Sequence, residues 1–213
     1  MATNTSHLLF DQTFELLPER AIFWREAQCL LIADLHLGKA SHFRKSGIAV
    51  PLHAEEVNLK KLKELFEKYQ PRTVLFLGDL FHSRHNEVWS VFATFLKQFP
   101  NIEFQLVQGN HDILPPTFFA EAAIAVYSEL AIGSFLFTHD RVESSLYNIH
   151  GHLHPAVRLK GVGRQRAVLP CFYFGKFFGI LPSFGSFTGS AVIAPKLGDH
   201  VYVVAGEAVL SVG

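Results

Sequence analysis

The chain has 213 residues, 49% of them apolar and 18% charged, with 19 Lys+Arg against 19 Asp+Glu. One domain spanning residues 1–213 is the default at this length, and a folded chain of this size buries about 70% of the surface its unfolded form exposes. The composition excludes disordered, collagen-like and coiled-coil chains, and the zero net charge gives no global sign of a strongly basic nucleic-acid module or a polybasic membrane binder.

Residues 1–15 lack a basic region and a sustained apolar core, which predicts no signal peptide. Cys29 and Cys171 lie too far apart in sequence for a Cys-x-x-Cys metal site. They read as small buried apolar residues, an arrangement that suits a reducing, cytoplasmic setting. Residues 30–33 form an apolar run that ends in Asp34. A helix is predicted over Ala54–Tyr69, with Val57, Leu59, Leu62, Leu65 and Phe66 at helical spacing and Pro71 beyond its end. The run 74–77 leads to Gly78-Asp79. A second helix is predicted over residues 86–99, with Asn86 as its N-cap and Pro100 as its stop. The run 104–107 leads to Gly109-Asn110-His111, the run 135–138 to His139, and residues 147–149 to Gly151-His152-Leu153-His154. Runs of this kind read as strands buried on both faces.

The first half is therefore strand-helix-strand-helix-strand, an α/β arrangement with parallel strands and right-handed crossovers. The second half, punctuated by Gly and Pro, reads as mostly antiparallel β structure. Residues 177–195 carry no charge until Lys196, but their glycines and Pro182 favour strand-loop-strand over a membrane helix. The 21 Phe are read as core, with base stacking as the rarer use. The segment 172–187, if exposed, marks an oligomer or partner surface.

Ligands of open α/β sheets bind beyond the carboxyl ends of the strands. Here those ends carry Asp34, His36, Asp79, Asn110, His139, His152 and His154. Oxygen and imidazole donors suit Mn²⁺, Fe or Zn²⁺. Seven donors exceed the needs of one ion and fit two ions sharing a carboxylate, the arrangement that clamps the attacking and leaving oxygens in phosphoryl displacement. Asp34 with His36, and His152 with His154, are i, i+2 pairs whose side chains point the same way on an extended backbone. Gly78, Gly109 and Gly151 are expected where the chain turns tightly off a strand.

In this order, Asp-x-His, Gly-Asp, Gly-Asn-His-Asp, an isolated His and Gly-His-x-His resemble the calcineurin-like metallophosphoesterase superfamily over about residues 28–155. The resemblance implies a four-layer αββα sandwich with a dinuclear centre of divalent transition metals, Mn first and Fe or Zn as alternatives. It implies that Asp34, His36, Asp79 and His154 hold one ion. Asp79, Asn110, His139 and His152 would hold the other, with Asp79 bridging. His111 would act as acid or oxyanion stabiliser, oriented by Asp112.

Residues 34–51 and 181–189 further resemble the bacterial ligase-associated DNA damage response endonuclease subfamily, PdeM. This implies DNA as substrate and a DNA ligase, a helicase and a nuclease as repair partners; a homo-oligomer is a further expectation. The subfamily match favours phosphate contacts for Lys39, His42, Arg44 and Lys45, against an ordinary solvated turn. The same choice stands for Arg158, Lys160, Arg164 and Arg166. Many superfamily members carry an acid at the position of His82, which is either a supporting residue or a substrate contact. A small-molecule phosphohydrolase acting on cyclic nucleotides or nucleotide-type pyrophosphates is the alternative enzyme, mildly favoured by zero net charge. A non-catalytic scaffold would be expected to lack part of this set.

Overall fold

The computed structural model describes residues 5–39, 54–82, 87–161, 163, 165–185 and 188–212. Seven strands form the first sheet in chain order: β1 (Thr5–Leu9), β2 (Gln12–Leu16), β3 (Ile22–Trp24), β4 (Cys29–Ile32), β5 (Thr73–Leu77), β6 (Glu103–Val107) and β7 (Ile124–Tyr127). The pairings from β1 through β4 are antiparallel, and those from β4 through β7 are parallel. Sequence reading did not find β1 to β3. Their first turn places Phe10 and Asp11 at φ 49° and 58°, a backbone usually signalled by Asn-Gly or Gly-Gly, so the local signal was silent.

Three helices accompany this sheet: α1 (Ala54–Tyr69), α2 (Glu87–Leu96) and α3 (Pro116–Glu121). The bounds of α1 agree with the periodicity. Its buried stripe does not include Val57, which is exposed, whereas Asn58 is buried with Leu62, Leu65 and Phe66. α2 is shorter than expected. Its last predicted turn is irregular, with the Phe99 N–H bonded to the Leu96 carbonyl, and Asn86 lies outside the described residues.

The second sheet contains β8 (Leu130–Ile132), β9 (Phe135–Thr138), β10 (Tyr147–His150), β11 (Pro155–Lys160), β12 (Arg166–Phe174), β13 (Phe178–Ile180), β14 (Ala191–Val192), β15 (His200–Ala205) and β16 (Ala208–Val212). As expected, it is mostly antiparallel among the described residues: β8–β9, β11–β12, β12–β13, β12–β15 and β15–β16 pair in this sense. β9–β10, β10–β13 and β11–β14 are parallel pairs, set by crossovers that short-range patterning does not reveal. The described residues of 177–195 are strand-loop-strand as expected, and no helix among the described residues is long and apolar enough to cross a membrane.

The helices cover one face of the first sheet through Leu62, Phe66, Phe92 and Phe119, among others. Phe14, Trp24, Phe135, Phe137, Phe172 and Phe174 fill the space between the sheets. Most Phe are spent in this way, so core packing is the right account of their abundance. Phe172, Phe174 and Phe184 are buried rather than part of an open surface; Phe177 is exposed, and Phe187 lies outside the described residues. The outer face of the second sheet carries a small cluster around Cys171, Val201 and Val203, and no helix among the described residues covers it. Both cysteines are free and buried, and burial pushes each thiol up to about 12.

Candidate metal centre

The C-terminal ends of β4, β5 and β6 in one sheet and of β9 and β10 in the other bring their following residues together. Backbone bonds stitch these ends: Asp34 N–H to the Gly78 carbonyl, His36 N–H to the Asp79 carbonyl, and Gly151 N–H to the His139 carbonyl. Asp34, His36, Asp79, His152 and His154 all have φ between 47° and 65°. The left-handed region costs a non-glycine residue roughly 1–2 kcal/mol, and clusters of such residues persist where surrounding structure over-determines them. The i, i+2 pairs therefore converge through left-handed kinks, not through the extended backbone assumed from sequence.

The three glycines before the ligands differ in purpose. Gly78 sits at φ +75°, and a Cβ there would lie 2.2 Å from His139 Nδ1. Gly109 and Gly151 are not left-handed. They provide space: a Cβ on Gly109 would meet the Asp79 amide nitrogen at 2.3 Å, and one on Gly151 would meet Asp34 Oδ2 at 2.5 Å.

Two groups of donors result. Asp34, His36 and His154 form one, and Asp79, His139 and His152 the other, each with its donor atoms within 4.8 Å of one another. Asp79 lies between them, with Oδ2 3.8 Å from His36 Nε2 and Oδ1 3.4 Å from His139 Nε2. Asn110 Oδ1 lies 2.9 Å from that same His139 Nε2, and His152 Nδ1 lies 3.0 Å from it.

The protonation pattern tests whether a cation fits. His139 Nδ1 is 3.2 Å from the Leu77 carbonyl, which can only accept, so the neutral ring carries its proton there and presents a lone pair at Nε2. A carboxylate oxygen, an amide oxygen and a second imidazole nitrogen then converge on a lone pair. His154 repeats the logic: Nδ1 donates to the Gly189 carbonyl at 3.0 Å, and Nε2 faces Asp34 Oδ1 and His36 Nε2, each at 3.4 Å. Asp34 Oδ1 is buried with no hydrogen-bond partner, while Oδ2 accepts the His152 N–H. Burial, then the charges of Lys39, His154, His82 and His111, hold the His36 imidazolium pKa down to about 2, so this ring is neutral. Converging lone pairs and an orphaned buried carboxylate oxygen are what a divalent cation would satisfy.

The remaining predicted site residues divide. His111 is at the site, its N–H donated to Asp79 Oδ1 and its ring 4.0 Å from that of His82. His82 also lies 5.2 Å from the His36 ring. Asp112 does not meet the expectation that it orients the His111 ring. Its carboxylate accepts the N–H groups of Phe81 and Gly109, locking together the loops after β5 and β6. Lys39 is half-buried; burial lowers its pKa while Asp79 and Asp34 act against this. His42, Arg44 and Lys45 lie outside the described residues.

The sequence reading gives the segment 181–189 a subfamily resemblance but no role at the metal centre. This segment braces the centre: Ser183 Oγ and the Gly185 N–H both donate to the Asp34 carbonyl, and the Gly189 carbonyl receives His154. Arg20 and Lys61 in turn donate to the carbonyls of Ser183 and Phe184. Nothing local in the sequence marks Arg20 and Lys61, because their partners are more than 100 residues away.

The family model for calcineurin-like phosphoesterases matches residues 28–171. The chain belongs to the calcineurin-like phosphoesterase family. Among solved structures, the Pseudomonas putida nuclease MPE is similar over 99% of this chain and 100% of that one, with a TM-score of 0.85 and 27% identity. A protein of unknown function from Aquifex aeolicus has a TM-score of 0.45 and 20% identity, over 59% of this chain and 78% of that one. The Escherichia coli phosphoesterase Yfce has a TM-score of 0.41 and 14% identity, over 83% and 87%. No curated protein matches in sequence. This calcineurin-like phosphoesterase is thus a metal-dependent hydrolase of phosphate esters, with two Asp/His groups suited to divalent ions.

Proposed function

We propose that this phosphoesterase is a nuclease that cleaves DNA phosphodiester bonds. The observation that carries the chemistry is Asp79, whose two oxygens face two separate Asp/His groups. The similarity to a nuclease along the whole chain supports the substrate. In this reading Asp34, His36 and His154 would hold one divalent ion and His139, His152 and Asn110 the other, with the Asp79 carboxylate available to both. Mn²⁺ is the preferred metal for this oxygen- and imidazole-rich set, ahead of Fe and Zn²⁺. When bound, the ions supply Lewis-acid stabilisation of the phosphoryl oxygens.

The protein's own groups do the rest. His111 is not needed as a ligand and delivers a proton to the leaving alkoxide. His82 packs on the His111 ring and sets its direction. Asp112 keeps the Gly109 turn, and thus Asn110, in place. Lys39, His42, Arg44 and Lys45 contact substrate phosphates. The motif resemblance supports a cytoplasmic single-domain enzyme of DNA repair, working beside a DNA ligase, a helicase and a nuclease.

The test uses protein stripped of metal and reloaded with Mn²⁺, Fe²⁺ or Zn²⁺, assayed on circular single-stranded DNA, a chromogenic diester and cyclic nucleotides. Metal-dependent opening of the circle is expected. Turnover of cyclic nucleotides with no cleavage of any DNA would replace the nuclease by a small-molecule phosphohydrolase.

A further inference from the structure

Zero net charge conceals an asymmetry. Residues 144–198 contain six cationic side chains, Arg158, Lys160, Arg164, Arg166, Lys176 and Lys196, and no Asp or Glu. Arg158, Lys160 and Arg166 lie on one hairpin, β11–β12, and β11 begins immediately after His154; Arg164 lies outside the described residues. The rest of the chain carries the compensating excess of acid.

The pairing register sorts these cations. Arg158 lies opposite Val168, and Lys160 lies opposite Arg166. Directly opposed residues, and residues two apart, share a face of a sheet. Arg158, Lys160 and Arg166 are therefore on one face, and all three are exposed. Val157 and Leu169, also paired, point the other way into the cluster on the outer face of the second sheet. The basic face is thus continuous with the face of β12 that presents Phe172 and Phe174 toward the first sheet.

Like charges directly opposed on a hairpin are destabilising. Lys160 and Arg166 are such a pair, and among the described residues no carboxylate forms an ion pair with either or with Arg158. At about 3.3 Å per residue, Arg158 stands ~13 Å and Lys160 ~20 Å along the strand from His154. A substrate with one phosphate at the metal centre cannot reach them. A polynucleotide can, and its backbone supplies the anions that this face lacks.

We propose that the face of the β11–β12 hairpin bearing Arg158, Lys160 and Arg166 is a nucleic-acid backbone track, holding substrate that runs outward from the metal centre. This rests on the nuclease reading and gives it a binding surface. It also removes the argument that zero net charge favours a small substrate, because the charge is segregated along the chain.

The experiment compares kcat/KM for a labelled ~20-nucleotide single strand with that for a chromogenic diester between ~50 and ~200 mM salt. The variants are R158Q/K160Q/R166Q and, as a control with the same charge change, K60Q/K63Q/K97Q at exposed helical and post-helical positions. Each lost phosphate contact should flatten the log–log salt slope by ~0.7, so the hairpin variant should lose ~2 units of slope. That corresponds to roughly 20-fold less salt sensitivity across the range. Diester hydrolysis reports the metal centre alone and should match wild type, and the control variant should keep the full slope on DNA. DNA cleavage with an unaltered slope in the hairpin variant would overturn the track and leave the nuclease intact. An equal loss of slope in both variants would reduce the effect to total charge, which also overturns it. Diester turnover without any action on DNA in wild type would bring down the nuclease and the track together.

Discussion

Replacing Gly78 by Ala separates two costs that the metal centre imposes on its backbone. The first is conformational: at φ +75° a Cβ costs roughly 1–2 kcal/mol. The second is crowding. The new Cβ would stand 2.2 Å from Nδ1, 2.5 Å from Cγ and 2.7 Å from Cβ of His139, so the ring must move. Overpacking of this kind costs roughly 1–3 kcal/mol, and the bond from Nδ1 to the Leu77 carbonyl is lost with it. The sum is about 2–5 kcal/mol, or a fall in Tm of roughly 4–20 °C for a chain of this size. Gly133, in the β8–β9 turn at φ +58° with nothing within 4 Å of an added Cβ, provides the control. Gly133→Ala should lose only the conformational part, about 1–2 kcal/mol. Thermal melts measure both losses. Titration with Mn²⁺ should show that Gly78→Ala binds the ion of the Asp79–His139–His152 group more weakly, while Gly133→Ala binds as wild type. Equal destabilisation in the two variants, with equal metal binding, would refute the crowding argument.

Asp79→Asn should lower metal occupancy and turnover together, whereas His111→Ala should keep its metal and lose ~10²–10⁴-fold in kcat; elemental analysis beside kinetics separates the two. Ser183→Ala removes a buried hydroxyl from the Asp34 carbonyl, which keeps the Gly185 N–H, so a loss of about 0.5–1.5 kcal/mol in denaturant unfolding is expected, with weaker metal binding. His7 is buried against Phe174 and Tyr202, and burial, then the nearby His200, lower its pKa to about 4. The unfolded chain takes up this proton first, so the stability contributed by neutral His7 is complete above about pH 6.5 and declines as pH falls toward 4. His7→Gln should flatten that part of a stability–pH profile, and an unchanged profile would show that His7 does not carry it.

The helix α1, the parallel core strands and the donor residues at strand ends were legible in the sequence because each depends on a few neighbouring residues. An apolar run followed by Gly-Asp or Gly-Asn-His states both the strand and its end, and helical spacing needs only a few turns to be read. The N-terminal hairpin was silent because Phe10 and Asp11 adopt its turn without the residues that usually announce it. Val57 and Asn58 show the limit of periodicity: both fit a stripe on paper, and only packing against the sheet decided that the polar one goes inside.

The sequence by itself determined which donors this protein has, their order, and through motif order the family of its chemistry. The tertiary structure decided how they meet. The left-handed backbone of the ligands, the glycines that clear space for Asp34 and Asp79, and the use of the Asp112 carboxylate as a loop lock all depend on loops from different strands. So do the bracing of Asp34 by Ser183, the tie from His154 to the Gly189 carbonyl, and the shared face of the hairpin cations. The physical reason is distance along the chain. A side chain's chemistry and its local turn are encoded within a few residues, whereas a lone pair's direction is set by whichever distant carbonyl or carboxylate folding brings to it.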